Sequence, residues 1–131
     1  MSHRIKLRAW DAERRCFYSS TQPRVDFIFG KMGDGVYINN LLRLDLTDEN
    51  TSQCIGLTDK DGVEIYAGDI LKDSKGHIGQ VFWHNAGFLI EWQERSYDGT
   101  RPVERFTDDC FGYGTVIGNI FENPKLLEVT S

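Results

Sequence analysis

The 131-residue sequence predicts a mainly β fold, a small barrel or sandwich with little helix, and three observations carry that reading. Apolar residues alternate with polar ones at a period of two in several short runs, the pattern of strands with one buried face. Glycine-bearing turn sequences recur between those runs at intervals of about ten residues, as small all-β domains require. No window of about 11 to 18 residues carries the 3.6 period of an amphipathic helix.

Taken in order, Ile5, Leu7 and Ala9 alternate with Lys6, Arg8 and Trp10 and read as a first strand. Asp11-Ala12-Glu13-Arg14 is a turn and Cys16-Phe17-Tyr18 the returning strand, after which Ser19-Ser20-Thr21-Gln22-Pro23 breaks regular structure. Val25, Phe27 and Phe29 alternate again. The glycine-rich Gly30-Lys31-Met32-Gly33-Asp34-Gly35 then turns into Val36-Tyr37-Ile38, which makes a second hairpin. Leu41, Leu42, Leu44 and Leu46 form a short apolar run that periodicity leaves open between strand and single-turn helix; strand is the assignment taken here. Asp48-Glu49-Asn50-Thr51-Ser52 is the most polar segment and the candidate join between an N-terminal lobe and the remainder.

The segment from Gly56 to Lys72 is the most distinctive. Asp59-Lys60-Asp61-Gly62 is a hairpin tip, because glycine accepts the positive φ of a tight turn and aspartate caps it with its own carboxylate. Gly68-Asp69 opens the strand that contains Ile70-Leu71, and Asp73-Ser74-Lys75-Gly76 ends it. Ile78 to His84 and Phe88 to Trp92 form an antiparallel pair around Asn85-Ala86-Gly87. Gln93 to Pro102 is a polar loop, Val116 to Ile120 a last strand, and Pro124 stands at the favoured first position of one helical turn. The unit from Tyr66 to Trp92 has the proportions of an SH3-like barrel. The chain therefore reads as one unit, 1–131, with an N-terminal β lobe over 1–50 and an SH3-like barrel lobe over 51–131 as its candidate subdivision.

Four blocks in this order resemble the YopX family of phage-encoded and prophage-encoded proteins. They are Arg4-Ile5-Lys6-Leu7-Arg8-Ala9-Trp10-Asp11, the segment Gly56 to Lys72, Gly79-Gln80-Val81 through Phe88-Leu89-Ile90-Glu91-Trp92, and Val116 to Pro124. Where the family has a Tyr-Thr pair before the glycine at Gly56, this chain has Cys54-Ile55, so no hydroxyl stands there. The resemblance implies a small β protein of mobile genetic elements with an SH3-like C-terminal part and a tendency to form homo-oligomers. It implies no catalytic residues, since the family has no established activity.

Charge and composition narrow the partners. The formal net charge of -5 divides into +4 over residues 1–31 and -9 over the rest, so a basic N-terminal segment sits on an acidic body. Such a segment steers a polyanion or meets an acidic neighbour. No run approaches the roughly 18 apolar residues of a membrane span, and the polar start Met1-Ser2-His3-Arg4 lacks a signal-peptide core, so no membrane association and a cytoplasmic location in a bacterial host are expected. Cys16, Cys54 and Cys110 fit neither a disulfide framework nor a CxxC pair and read as reduced thiols.

No metal, cofactor or catalytic set is expected. Asp59-Lys60-Asp61-Gly62-Val63-Glu64 has its glycine fourth, not sixth as a calcium loop needs, and reads as an acidic turn. Asp108-Asp109 beside Cys110 raises that thiol's pKa and disqualifies it as a nucleophile. Across the hairpin, His84 is a candidate neighbour of Glu91 or Trp92, and Asp69, His84 and Glu91 are the one conceivable catalytic trio, set aside because strand ends carry such residues for turn and edge reasons. The candidate interaction surface is Arg4, Lys6, Arg8, Trp10, Asp69, Trp83 and Trp92. The function expected is a non-catalytic protein-interaction module that self-associates or binds a phage or host protein. The alternative is a nucleic-acid binder that uses the basic N-terminal strand for phosphates and the barrel aromatics, Trp83, Phe88 and Trp92, for base stacking, with Lys72, Lys75 and Arg95 nearby.

Overall fold

The computed structural model describes residues 6–31, 33–84, 87–93, 103–105 and 114–127, and it is mainly β. Among the described residues twelve strands run in order: β1 (Leu7–Asp11), β2 (Cys16–Ser19), β3 (Val25–Ile28), β4 (Gly35–Ile38), β5 (Leu41–Asp45), β6 (Thr51–Thr58), β7 (Glu64–Tyr66), β8 (Asp69–Lys72), β9 (Ile78–His84), β10 (Gly87–Trp92), β11 (Val103–Arg105) and β12 (Thr115–Asn119). A 3-10 turn, Pro124–Leu127, follows with proline at its first position, as the sequence suggests. The chain divides into two compact units, 1–54 and 55–131.

In the first unit β1 pairs antiparallel with β2 through Ala9↔Tyr18 and Trp10↔Phe17, and with the start of β6 through Arg8↔Ser52. A separate three-stranded antiparallel sheet, β3-β4-β5, pairs Phe27 with Val36 and Val36 with Leu44. Asn39 and Asn40 join β4 to β5 with φ of 52° and 67°, the two left-handed residues of a tight hairpin turn. The Leu41 run is a strand, and between Leu44 and Leu42 its register slips by one residue against β4, which leaves Arg43 as the bulge. Ala9, Tyr18, Val36 and Leu46 form the core of this unit, with Cys16, Val25, Phe27, Ile38 and Leu44 packed against them. Burying a side chain of this size contributes roughly 1.5–3 kcal/mol.

The second unit holds a curled five-stranded antiparallel sheet in the order β11-β10-β9-β8-β12, a half-barrel with β11 and β12 at its edges. The hairpin read from the sequence is present, with Ile90 opposite Val81 and Trp92 opposite Gly79. Ile65, Leu71, Val81, Ile90 and Trp92 make the core, with Ile55 and Val116 against it. Gly79 is required by close approach and not by φ: a Cβ there would stand 2.8 Å from Cγ1 of Ile90 and 2.9 Å from Cε3 of Trp92. Gly68 is required by φ, at +94°, where it donates to Val81 O and accepts from the Ile120 amide.

The strand β6 takes in Thr51 and Ser52, which the sequence places in the polar join. Its first residues pair with β1 inside the first unit and its later ones have β7 as neighbour inside the second. Gly56, at φ +86°, lies within this strand and not at a tight turn.

Candidate functional site

Two turns built on one plan organise the second unit. In Asp59-Lys60-Asp61-Gly62-Val63, Asp59 Oδ1 accepts from the amides of Asp61 and Val63, both at 2.9 Å, the Asp59 amide donates to Val63 O, and Gly62 has φ +84°. Asp73-Ser74-Lys75-Gly76-His77 repeats every part: Oδ1 accepts from Lys75 and His77 at 2.9 and 2.8 Å, the Asp73 amide donates to His77 O, and Gly76 has φ +88°. An aspartate that bonds the second and fourth amides after it closes the turn itself.

Asp59 is buried and also ties its turn to β12, because Oδ2 accepts from the Val116 amide at 2.9 Å. Burial pushes this carboxyl up, but the amides of Val116, Val63 and Asp61 outweigh it and hold the group below the ordinary carboxylate value. Three amides take both oxygens, so the acidic turn serves as structure. Among the described residues no three His, Cys, Asp or Glu side chains group as metal ligands.

In the first unit Asp11 has the corresponding place. It accepts from the amides of Glu13 and Arg14, from the Arg14 guanidinium at 2.9 Å and from the Tyr18 hydroxyl at 2.9 Å. Burial works against its charge, and these donors together overcome burial and lower its pKa. The turn after β1 is thus fixed by a buried carboxylate, with the phenol of β2 closing its far side.

The sequence-selected residues separate into buried and accessible groups. Asp69 is buried and accepts from the Tyr66 amide at 2.7 Å, and Trp92 and Trp10 are buried too, so none of the three offers a side-chain surface to solvent. Arg8 is half-buried, with Nε 3.1 Å from Ser52 Oγ and its guanidinium 4.5 Å from the Phe17 ring centroid, a cation–π arrangement. Lys6 is half-buried and its carbonyl accepts from the Cys54 amide. Arg4 lies outside the described residues, as do Arg95 and Cys110. Trp83 is 56% exposed and meets Phe88 edge-on at 4.7 Å. Lys72 and Lys75 are exposed.

The hairpin register corrects one expectation. His84 pairs with Gly87, whereas Glu91 pairs with Gln80 and Trp92 with Gly79, so His84 stands at the far end of the hairpin from both. Strand alternation also puts Asp69 on the face of Leu71 and Val81, opposite that of Gln80 and Glu91. Asp69, His84 and Glu91 are not brought together.

What the sequence reading passed over is a set of exposed apolar side chains in the first unit. Ile28, Phe29, Leu41 and Leu42 are 47%, 57%, 73% and 56% exposed, and none belongs to the core cluster. The signal was available in Leu41-Leu42, since neighbouring strand residues point to opposite faces and one of the two must leave the core. A groove of about 320 Å³ lies nearby, lined by Phe29, Asp34, Leu46, Thr47, Asp48 and Thr51. Part of its polar lining is already engaged: Asp34 Oδ1 accepts from the Gly30 amide and Thr47 Oγ1 from the Asn50 amide.

The family model described as YopX protein matches residues 6–128. A solved structure, "Crystal structure of protein EF1440 from Enterococcus faecalis", is similar with a TM-score of 0.56 and 22% identity over 96% of this chain and 99% of that one, a likeness of fold. No curated protein matches. No helix among the described residues is long and apolar enough to cross a membrane.

Proposed function

Since this chain belongs to the YopX family, we propose that it is a non-catalytic protein-interaction module that self-associates, encoded by a phage or prophage and working in the bacterial cytoplasm. The observation that carries the reading is the contrast between its polar and apolar groups. The buried carboxylates Asp11, Asp59 and Asp69 are each engaged by backbone amides, while large apolar side chains on β3 and β5 face solvent. Reactive chemistry needs polar groups held ready for a substrate, whereas association needs apolar area left over from the core. An SH3-like character of the second unit accords with the reading through its β8-β9-β10 meander.

Sedimentation velocity on the full chain at micromolar concentration tests it. A concentration-dependent assembly is expected, and a monomer throughout the range defeats self-association.

A second reading rests on Trp83, whose exposed indole beside Phe88 is the kind of surface on which a base stacks. It predicts single-stranded oligonucleotide binding that weakens steeply between about 50 and 200 mM salt. Absence of binding at low salt removes it.

A further inference from the structure

The outer face of the β3-β4-β5 sheet has the makings of a contact surface. Phe27, Val36 and Leu44 point into the core, so their strand neighbours Ile28, Tyr37 and Leu42 point out. These three are adjacent: Ile28 pairs with Gly35, and over Gly35 lie Leu42 and Tyr37, close enough that a Cβ on that glycine would be 2.7 Å from Leu42 Cδ1 and 3.3 Å from Tyr37 Cε1. The absence of a side chain at Gly35 lets Leu42 and Tyr37 settle over it, next to Ile28. Leu41, 73% exposed, pairs with Ile38 and so lies on the opposite face.

The edge of the sheet is blunted. Arg43 bulges from β5, and the Asn50 side-chain amide donates to the Asp45 carbonyl, so a ladder cannot run cleanly onto β5 there. On the β5 side contact therefore falls to the face and its side chains.

Charge selects the occupant. On the same face stand Asp26, opposite Tyr37, and Asp45, opposite Gly35, while Arg24, just before β3, and Arg43, in β5, lie close to them along the chain; all four are exposed, two charges of each sign. The first unit sums to +1 and the second to -6, by the residues of each. A strongly basic partner is drawn to the second unit and an acidic one is repelled by the body. A balanced, mixed-sign set of charges beside leucine and isoleucine suits a copy of itself, where each arginine has an aspartate to meet.

We propose that this face, centred on Ile28, Tyr37 and Leu42, is the surface through which a second copy of the chain binds. The proposal rests on the self-association reading and names its location. Three apolar side chains make a small contact, and the affinity expected is micromolar.

The test compares the full-length chain with Leu42→Lys, with Arg43→Glu and with Val63→Lys, a control at an exposed apolar position of the second unit, by sedimentation equilibrium, after circular dichroism and urea midpoints establish that each variant folds. Leu42→Lys is expected to weaken association by about tenfold or more. Arg43→Glu serves if Leu42→Lys fails to fold, and is expected to weaken association several-fold at low salt. Val63→Lys should leave association unchanged. If the wild-type chain assembles and the face variants assemble equally well, or Val63→Lys disrupts as strongly, this surface is wrong while self-association stands. If the wild-type chain is monomeric at every concentration, both fall together.

Discussion

Tyr18 and Asp11 are both buried, and the Tyr18 hydroxyl donates to Asp11 Oδ2 at 2.9 Å. The bond joins β2 to the turn that precedes it, so the hairpin is closed by side chains as well as by its ladder. Tyr18→Phe is expected to lower the unfolding free energy by about 1–1.5 kcal/mol, because Asp11 keeps its Arg14 donors. Urea denaturation checks this, and no change in midpoint contradicts it.

The same pair has an alkaline signature. Burial first, then the bond to Asp11, pushes the Tyr18 phenol up to about 12. Its folded pKa is raised, so its contribution to stability is complete below the unfolded value of about 10 and is lost as pH rises through the folded one. Phenolate absorbance should show one of the five tyrosines titrating near pH 12, and Tyr18→Phe should abolish that step.

In acid, Asp11 and Asp59 act together. Both have folded pKa values below the unfolded carboxylate value, so the stability they contribute is present above about pH 3.9 and disappears as pH falls through the folded values. Unfolding midpoints should be level from about pH 7 to 5 and fall below about 4. Asp59→Asn should cost about 1–3 kcal/mol at neutral pH, since the amide nitrogen cannot accept from Val116 or from Asp61 and Val63 together, and should flatten the acid slope. A slope identical to wild type refutes the assignment.

Gly79→Ala tests packing without touching backbone conformation. The new methyl meets Ile90 and Trp92 at under 3.0 Å, so those side chains must move, and a loss of roughly 1–3 kcal/mol follows. Thermal unfolding measures it; a neutral result means the β9-β10 core is looser than drawn.

Asn39 and Asn40 give the reverse case. With φ of 67°, Asn40 occupies a conformation glycine adopts without strain, so Asn40→Gly should be neutral or stabilising, while Asn40→Val costs about 1 kcal/mol or more. Comparing urea midpoints of the two variants decides it.

How much was legible follows from what each residue type announces. Asp-x-x-Gly turns, the β9-β10 hairpin and the helical turn at Pro124 were readable, because glycine, aspartate and proline declare backbone needs that neighbours seldom override. The full length of β6 was not, because Thr51-Ser52-Gln53-Cys54 lacks the apolar alternation that marks a half-buried strand and its pairing depends on β1, over forty residues away. Nor was the fate of the candidate surface. Asp69 and Trp92 belong to residue types that serve equally well on a contact patch or inside a fold, and only register turned both inward. Leu42 went the other way, since a leucine in a strand predicts the core until the bulge at Arg43 shows which face it takes.

The three tryptophans are distributed so that the molecule carries its own optical probes. Trp10 is buried in the first unit, Trp92 is buried in the second, and Trp83 stands in water on the same hairpin as Trp92. A soluble quencher therefore dims one indole and spares two, and with Trp83 also replaced, phenylalanine at either buried tryptophan leaves emission that reports on the other unit's interior. The melting of each half of the chain can be followed by its own colour shift, with no label attached.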